Sequence, residues 1–581
     1  MKKIRILLLC LSASLAGTAL ADATSDFQSL LDEHWEWTLK NSPVMASAMG
    51  DRRYNQQWGD NSLAAIEQQH VETRDFLRRA YAIDRKALSD EDQLNYELFR
   101  RQLQDTVDEH QFMGYLLPFD HQGGVQNIDS LTNRLRLVTV QDYDDWLVRL
   151  SKLDVVVEQM IDLAEKGRKE GVVSPAILMQ RIPAQIAVQV VEFPADSPFF
   201  RPFAALPDSF APDDRERLRA EATDVIEKTV LPAYRKLDKY FNKKYLPAAR
   251  ASIGLSDLPN GNAWYEHQAR SFTTTRMTPD DIHRIGLDEV KRIRDEMQKV
   301  IAEVEFDGTF QEFLTFLRTD PQFYFDNPED LYQEYLATSK RLDPELVKLF
   351  GKLPRMPYGV KPIPDSIAPD TTTAYYNRPA ADGSRAGIYY VNLYKPEVRP
   401  KYEIEVLSVH EAVPGHHLQL ALQQELGDMP MFRRFLGFTA FVEGWGLYSE
   451  RLGYDMGLYE DPYSRFGQLT YDMWRAVRLV VDTGMHYKGW TRQQAIDFFK
   501  DNAAKTEHDI VNEIDRYIAW PGQALAYKIG QLKILQLRER AERQLGENFD
   551  IRAFHDELLG AGALPLDLLE QRMDKWLAAQ N

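Results

Sequence analysis

Histidine and glutamate residues recur in one stretch of the sequence in a pattern typical of zinc sites. His410 and Glu411 are followed by His416 and His417, and Glu443 lies further along the chain. Imidazole nitrogens are preferred zinc ligands, and in the H-E-x-x-H pattern the Glu beside the first His is the general base. The pattern therefore predicts a zinc-dependent hydrolytic site with His410 as a ligand and Glu411 as the base.

The spacing between the histidines departs from H-E-x-x-H. Pro414 stands where the second ligand would be, four residues after His410. On a straight helix His416 would lie roughly 240° round from His410, and His417 would lie about 10 Å further along the axis. Pro414 cannot continue the helical hydrogen bonds and Gly415 relaxes the backbone, so we expect a break that returns one of the two histidines to His410. The alternative is a kinked helix whose histidines are solvated or paired with carboxylates.

Four segments carry a resemblance to a known family: SVHEAVPGHHLQ, FVEGWGLYSERLG, WRAVRLVVDTGMHYKGW and RYIAWPGQALAYKIG. They resemble the signature blocks of the bacterial family catalogued as domain of unknown function eight-eight-five, over nearly the whole mature chain. That family in turn resembles the helical zinc peptidases typified by thimet oligopeptidase, angiotensin-converting enzyme and the thermostable carboxypeptidases. The resemblance implies a mainly α-helical, two-lobed fold with a small β element beside a deep cleft.

The resemblance also assigns ligands. The Phe-Val-Glu of residues 441 to 443 is similar to the block that bears the third zinc ligand in thimet oligopeptidase, which implies that Glu443 binds the metal. The His-Leu-Gln that begins at His417 is similar to the His-x-Gln at the second ligand of some helical zinc peptidases. We therefore favour His417 as the second ligand and keep His416 as the rival.

These ligands leave a fourth coordination position for water, whose pKa zinc lowers to about 7. Glu411 would take the proton of that water and pass it to the leaving amine. Glu450 lies on the same helical face as Glu443, and we expect its carboxylate to orient a ligand histidine from behind. A surface salt bridge is the alternative for Glu450.

Four polar residues form a stripe along a predicted helix that is otherwise apolar. Arg475, Arg478, Asp482 and His486 recur at intervals of three and four, among apolar neighbours. Buried charges must be paired or face a cavity. We expect Asp482 to fix the tautomer of His486, His486 to donate to the oxyanion, and the two arginines to bind a substrate carboxylate. The alternative for the arginines is an ion-pair network between helices.

Two further elements are candidates for substrate contacts. Residues 387 to 392 form the clearest strand in the chain, and we expect Tyr389 and Asn392 to line the cleft, where an extended substrate would pair with the strand. A small core hairpin is the alternative. The resemblance to zinc peptidases implies an oxyanion donor on a late helix, for which Tyr527 is the best match and Tyr517 the second.

The N-terminus reads as an export signal. A basic start, an apolar run and the Ala19-Leu20-Ala21 motif predict a signal peptide over residues 1–21. A lipoprotein signal at Cys10, the single cysteine of the sequence, is the alternative. No later stretch is apolar enough to span a membrane. We therefore expect a periplasmic or secreted protein with no membrane insertion.

Length and charge limit the remaining possibilities. The formal charge is −18, and losing Lys2, Lys3 and Arg5 with the signal gives −18 − 3 = −21. Such a charge disfavours nucleic acid as a partner. We expect an N-terminal helical lobe over residues 22–277 and a metal-bearing lobe over residues 278–581, intertwined in one structural unit.

The sequence as a whole predicts a zinc metallopeptidase that cleaves short peptides. Two alternatives keep the same residues: a zinc hydrolase of a non-peptide amide, and an inactive peptide-binding protein of the same fold. Endopeptidase, carboxypeptidase and dipeptidase action are equally compatible with the motifs, and oligomeric state is left open.

Overall fold

A computed structural model describes residues 23–364, 368, 372–379, 383, 385–427 and 429–580. The predicted signal peptide, residues 1–21, and the alternative lipid-attachment residue Cys10 lie outside these residues. Within the described part of the chain, no helix combines the length and the apolar character needed to cross a membrane.

The prediction of a mainly helical protein is confirmed. The first half of the chain contains the following α-helices: 23–41, Pro43–Ala48, Leu63–Ala82, Asp90–Glu109, Val140–Leu150, Leu153–Glu170, Ala176–Met179, Ile182–Gln189, Arg201–Ala204, Pro212–Val225 and Leu231–Tyr240. The second half contains Gly261–Thr273, Pro279–Glu303, Phe310–Thr319, Pro328–Leu342, Leu346–Leu349, Ile404–Glu411, His416–Glu425, Met431–Phe435, Thr439–Asp455, Pro462–His486, Arg492–Asn502, Glu507–Ala519, Leu525–Leu545, Ile551–Leu559 and Leu566–Gln580.

Several helices begin where the sequence places a cap. The Ser89 hydroxyl accepts from the Asp92 backbone N–H, and the helix that follows begins at Asp90. Thr278 and Asp281 form a reciprocal capping box ahead of Pro279–Glu303. Local side-chain chemistry therefore sets these helix starts.

The chain divides into two compact units. The N-terminal unit comprises Met1–Ile253, Asp257–Gly261 and Pro430–Phe432, and the C-terminal unit comprises Gly254–Ser256, Asn262–Met429 and Arg433–Asn581. The division falls near residue 253, ahead of the expected boundary at 277/278. Short segments of each unit are interleaved in sequence with the other.

A three-stranded sheet lies in the C-terminal unit. Its strands are β1 (Tyr358–Pro362), β2 (Ala374–Asn377) and β3 (Gly387–Val391), in the order β1-β3-β2. β3 pairs parallel with β1 and antiparallel with β2. The predicted strand is therefore the central one, and among the described residues β2 pairs with a strand on one side only.

Five helices of the C-terminal unit position the candidate site and are named after a residue of each. They are the His410 helix (Ile404–Glu411), the His416 helix (His416–Glu425), the Glu443 helix (Thr439–Asp455), the Arg478 helix (Pro462–His486) and the Tyr527 helix (Leu525–Leu545).

The Glu443 and Tyr527 helices cross in close contact at a pair of glycines. A Cβ added to Gly444 would lie 2.5 Å from the Cα of Gly530, and one added to Gly530 would lie 1.8 Å from the carbonyl oxygen of Ala440. Both distances are too short for any side chain. Glycine at both positions therefore fixes the separation of these helices and holds Glu443 in place.

Candidate metal centre

The expected break between the histidines is present. The His410 helix ends at Glu411 and the His416 helix begins at His416. The Gly415 N–H donates to the Val409 carbonyl at 3.0 Å, and a Cβ on Gly415 would lie 1.9 Å from the carbonyl oxygen of His410. Glycine is therefore required where the chain folds back on the His410 helix.

An indole on the Glu443 helix fixes the other side of the break. Trp445 is fully buried, and its Nε1 donates to the carbonyl of Pro414 at 2.9 Å. The break thus ties together the three helices that carry His410, His416 and Glu443.

These three side chains form a compact set of potential metal ligands. One ligand atom from each of His410, His416 and Glu443 lies within 4.8 Å of the others. Oε2 of Glu443 is 3.8 Å from Nε2 of His410 and 3.5 Å from Nε2 of His416. The two imidazole rings are nearly perpendicular, at 87°, with centroids 4.7 Å apart.

The donor set fits zinc. Ligand bonds of 2.0–2.1 Å in a tetrahedral arrangement separate neighbouring donor atoms by about 3.4 Å. The separations from Glu443 are close to that value, and two nitrogens with one carboxylate oxygen match a catalytic zinc site. The same set also suits other divalent ions with mixed nitrogen and oxygen ligands.

Charge interactions within the cluster are strong because the groups are largely shielded from water. Burial alone would lower the pKa of His416, but Glu443 raises it above its ordinary value. Burial would raise the pKa of Glu443, yet His416 holds it below its ordinary value. A cation and an anion attract each other at this position, as expected where a divalent ion could take the place of the proton.

Glu450 contacts His410 at Nδ1, the ring nitrogen that does not face the other potential ligands, as expected from the sequence. Its Oε1 lies 2.8 Å from Nδ1 of His410, and Glu450 is fully buried. Burial raises the pKa of Glu450 to about 8; in its carboxylate form Glu450 accepts from Nδ1–H, which leaves the lone pair of Nε2 for a metal ion. Burial lowers the pKa of His410 well below its ordinary value, so the imidazole is neutral, as a metal ligand must be.

Glu411 is held by the edge strand of the sheet. Its carboxylate accepts a hydrogen bond from the backbone N–H of Tyr376 in β2. In the antiparallel ladder Asn392 N–H donates to the carbonyl of Thr373, so the backbone groups of Tyr376 point away from β3. Burial raises the pKa of Glu411 to about 6, a value suited to a general base.

The structure favours His416 over His417 as the second ligand, which reverses the preference drawn from the sequence. His417 Nδ1 lies 2.8 Å from the hydroxyl of Tyr376, and its ring centroid is 4.9 Å from that of Tyr358. Consecutive residues on a helix point about 100° apart. Once the break turns His416 toward His410, His417 necessarily faces the sheet.

The proposed oxyanion role of His486 is wrong. This side chain is fully buried, Nδ1 accepts from the Leu255 N–H at 3.1 Å, and Nε2 lies 2.9 Å from the Tyr517 carbonyl. Both ring nitrogens thus bind backbone groups. Asp482 does not match its expected role either, because its Oδ1 accepts from the Tyr265 hydroxyl at 2.5 Å and the Gly522 N–H at 3.0 Å.

The two arginines of the stripe are buried beside carboxylates, as the ion-pair alternative predicts. Nη2 of Arg475 lies 3.6 Å from Glu450 Oε1. Nη2 of Arg478 lies 3.1 Å from Glu513 Oε2, and its Nε donates to the Tyr517 hydroxyl at 2.7 Å. Arg475 therefore supports the carboxylate that orients His410.

Tyr527 lies in the first turn of its helix and is partly exposed. Its ring packs against the guanidinium of Arg478, 4.3 Å from the ring centroid. Tyr517, the second choice, is fully buried and its hydroxyl contacts Arg478, Trp474 and Glu513. Of the two, Tyr527 alone keeps access to solvent.

The substrate-binding roles expected for Tyr389 and Asn392 are wrong. Tyr389 is fully buried in the central strand, and its ring packs edge-on against Tyr335. Asn392 is also fully buried, and its side-chain amide donates to the carbonyls of Ala368 and Thr372. Tyr389 belongs to an apolar cluster with Tyr335 and Ile404, and pairing with β1 and β2 on both sides leaves β3 no edge for a substrate strand.

Gly446 is a site residue that sequence reasoning missed. A Cβ on Gly446 would lie 2.8 Å from Cε1 of His410, 3.0 Å from its Nε2 and 3.2 Å from Cε1 of His416. The absence of a side chain lets both imidazoles approach the Glu443 helix. The signal in the sequence is the glycine at 446, one turn after Glu443 in the middle of a helix.

Comparisons with known proteins give the family and the fold. A family model described as "Bacterial protein of unknown function (DUF885)" matches residues 43–573. A crystal structure described as "the putative lipoprotein from Colwellia psychrerythraea" is 30% identical, with a TM-score of 0.90 over 97% of this chain and 99% of that chain. A "putative lipoprotein of unknown function from Shewanella oneidensis" is 18% identical, with a TM-score of 0.74 over 94% of this chain and 99% of that chain. No curated protein matches the chain.

Proposed function

This chain belongs to the bacterial DUF885 family, and from the geometry of its site we propose that it is a zinc-dependent hydrolase of short peptides. The observation that carries the proposal is the cluster of His410, His416 and Glu443 on three helices, with Glu411 directly after the first ligand. We propose that this arrangement is related to that of the helical zinc peptidases, with His416 in place of His417.

The three side chains would hold the ion, and Glu450 would orient His410. A bound zinc ion would supply a Lewis acid that activates water and polarises a carbonyl. Glu411 removes a proton from the attacking water and delivers it to the leaving nitrogen. Its carboxylate is kept in position by the Tyr376 N–H. The partly exposed hydroxyl of Tyr527 is our candidate donor to the carbonyl oxygen as it becomes an anion.

The edge of β2 favours a peptide as the substrate. The N–H and carbonyl of Ala374 and the carbonyl of Tyr376 point away from β3, whereas the Tyr376 N–H donates to Glu411. An extended peptide that added a strand there would lie beside Glu411. This role was expected of β3, and its transfer to β2 follows from the strand order.

The decisive experiment is digestion of a peptide library by the purified protein loaded with zinc, read by mass spectrometry. Glu411→Gln is the parallel control because it keeps the volume of the side chain and one oxygen acceptor but cannot act as a base. Cleavage by the wild type alone supports the proposal, and the positions cut separate removal of C-terminal residues from internal cleavage. Equal cleavage by both proteins would contradict it.

The mode of substrate binding has a test of its own. Methylation of single substrate amides should raise KM at the positions that pair with β2 and leave other positions unaffected. If no methylated position changes KM, then main-chain pairing with the strand is not how the substrate binds. Turnover of non-peptide amides, with no peptide cleaved, would instead favour a zinc hydrolase that acts on a non-peptide amide.

We also propose that the protein is exported. Both structural relatives are described as a "putative lipoprotein", and lipid attachment at Cys10 is the alternative to cleavage after Ala21. Expression with its own N-terminus, followed by fractionation and intact mass measurement, separates the two. A soluble product that begins at Asp22 supports cleavage after Ala21. A wild type found in the membrane fraction, together with a Cys10→Ala variant that is not found there, supports lipidation.

A further inference from the structure

The guanidinium of Arg149 lies inside the N-terminal unit with no hydrogen bond or ion pair to a carboxylate, and the one carboxylate that acts on its charge is that of Asp145. Its side chain is 0% exposed. Nη2 donates to the Ser47 hydroxyl at 2.7 Å and to the Tyr54 carbonyl at 2.8 Å. Nε and Nη1 are buried and have no hydrogen-bond partner. Among the residues that the structure describes, Arg149 forms no ion pair.

A buried charge in this condition is costly. Buried charges in proteins are paired or solvated, because transfer of an isolated ion from water carries a penalty of several kcal/mol even after relaxation. Burial lowers the pKa of Arg149 to about 10, so the group is still a cation at neutral pH. Two neutral acceptors serve one of its three nitrogens, and the guanidinium carbon lies 5.5 Å from the centroid of the Trp58 ring. The other two nitrogens have no hydrogen-bond acceptor.

A small cavity adjoins this guanidinium. Its volume is about 80 Å³, and Arg52 and Arg136 line it together with Arg149. The side chains of Arg52 and Arg136 are exposed at the rim, so the cavity is reached from solvent. One water occupies roughly 10–15 Å³ of such space, and the cavity has room for several waters or one tetrahedral oxyanion.

Two carboxylates also line the cavity, and both have partners. Asp142 pairs with Arg52 and caps the helix Val140–Leu150. Asp145 Oδ1 accepts from the side-chain amides of Gln56 at 2.8 Å and Gln141 at 2.9 Å. Three guanidiniums against two carboxylates leave a net positive charge around the cavity, in a protein whose formal charge is −18.

We propose that this cavity is a binding site for a small tetrahedral oxyanion, phosphate or sulfate, held by Nε and Nη1 of Arg149 at its base and by Arg136 at its rim. Such an anion supplies the acceptors that the buried guanidinium lacks and neutralises its charge. The site lies wholly within the N-terminal unit and is independent of the proposed hydrolase activity. The ligand is either the free ion or the phosphoryl group of a larger molecule.

The test is binding of inorganic phosphate to the full-length mature protein, by calorimetry and by thermal unfolding, with sodium chloride at matched ionic strength as the reference. Wild-type protein should show saturable binding and a rise in Tm beyond that in chloride. Sulfate should compete with phosphate, whereas acetate should not. Phenyl phosphate binding as tightly as phosphate identifies a phosphoryl group as the ligand, and exclusion of phenyl phosphate identifies the free ion.

Variants separate a binding site from a structural arginine. Arg149→Met should abolish the phosphate-dependent rise in Tm, and Arg136→Gln should weaken binding about tenfold. Asp145→Asn, which keeps an oxygen acceptor for Gln56 and Gln141, should tighten binding about 3- to 10-fold because it removes a nearby negative charge. Arg134→Gln is the matched control, since Arg134 lies two residues from Arg136 but lines a different cavity.

The outcomes are distinct even where a variant folds poorly. If Arg149→Met does not fold, the opposite effects of Arg136→Gln and Asp145→Asn still decide the question. Absence of phosphate-specific binding in the wild type would overturn the proposal. Binding that is equal in the wild type, Asp145→Asn and Arg136→Gln would overturn it as well, because it would show general surface association.

Discussion

His416 and His417 are adjacent in sequence, yet their imidazoles contact different parts of the C-terminal unit. Nε2 of His416 lies 3.5 Å from Oε2 of Glu443, whereas Nδ1 of His417 lies 2.8 Å from the hydroxyl of Tyr376. One histidine completes the candidate metal cluster and the other anchors the edge strand. The same two residues thus link the potential metal ligands to the strand that holds Glu411.

The adjacent histidines predict a clear split in metal binding. His410→Ala and His416→Ala should each lose zinc, by about 100-fold or more in affinity, because each removes one of three protein ligands. His417→Ala should retain zinc. Metal content after dialysis, measured by mass spectrometry, checks this directly. Loss of zinc from His417→Ala with retention in His416→Ala would restore the ligand assignment that the sequence alone favours.

The glutamate after the first ligand should affect turnover without affecting the metal. Glu411→Gln removes the base but leaves the cluster of His410, His416 and Glu443 intact, so zinc affinity should stay within a factor of a few. The kcat for peptide cleavage should fall by about 10²- to 10⁴-fold. Single-turnover rates on an identified substrate, with zinc content measured on the same sample, provide the check. A fully active Glu411→Gln protein would assign the base to another residue.

Glu450 should act on metal affinity through His410. Glu450→Ala removes the partner of Nδ1 and frees the ring to rotate and change tautomer, so zinc affinity should fall about 10- to 100-fold. Glu405→Gln is the matched control, because Glu405 lies on the His410 helix and accepts from the Tyr459 N–H instead. Competition with a chromogenic chelator gives both affinities. An equal loss in the two variants would point to general destabilisation.

Gly446 provides a steric test of the same cluster. In Gly446→Ala the new methyl group would lie 2.8 Å from Cε1 of His410, so the imidazoles must move apart and zinc affinity should fall about tenfold or more. Gly437→Ala is the control, because a Cβ there meets no atom within 4 Å. Circular dichroism should show both variants folded. Unchanged zinc affinity in Gly446→Ala would mean that the rings do not bind metal in this arrangement.

The sequence predicts the donor types and the break, but not which histidine the break turns inward. Pro414 and Gly415 predict the end of the His410 helix. The direction of the His416 helix depends on the Trp445 contact and on the space left by Gly446. These are contacts between segments distant in sequence. The preference for His417 came from the resemblance of His-Leu-Gln to a zinc-peptidase motif, and such a motif does not include these contacts.

The errors at the sheet and at the polar stripe have a similar origin. Residues 387–391 have the composition of a strand, but β3 pairs on both sides, and its side chains Tyr389 and Val391 are buried against residues distant in sequence, such as Tyr335. His486 lies on a polar stripe, yet its partners are the backbone groups of Leu255 and Tyr517. In both cases periodicity identified the element, and a distant segment decided what the side chain contacts.

The last prediction concerns His555, a buried histidine in the C-terminal unit outside the candidate site. Nδ1 of His555 lies 2.8 Å from the Leu349 carbonyl, which can only accept, so the proton is on Nδ1. Nε2 therefore accepts from the Tyr448 hydroxyl at 2.8 Å. The ring stacks on Phe350. Neutral imidazole satisfies both contacts, and protonation of Nε2 would break the second.

Burial lowers the pKa of His555 to about 3, against about 6.5 in an unfolded chain. The unfolded state therefore takes up the proton first, and stability is lost as the pH falls from about 6.5 toward 3. Between pH 6.5 and 5 this group should remove about 2 kcal/mol from the free energy of unfolding. His555→Phe should be less stable at pH 7, because the Tyr448 hydroxyl and the Leu349 carbonyl lose their partner, but its stability should fall less between pH 6.5 and 5. Urea unfolding at both pH values checks this, and parallel pH profiles of the two proteins would show that His555 does not set the acid sensitivity.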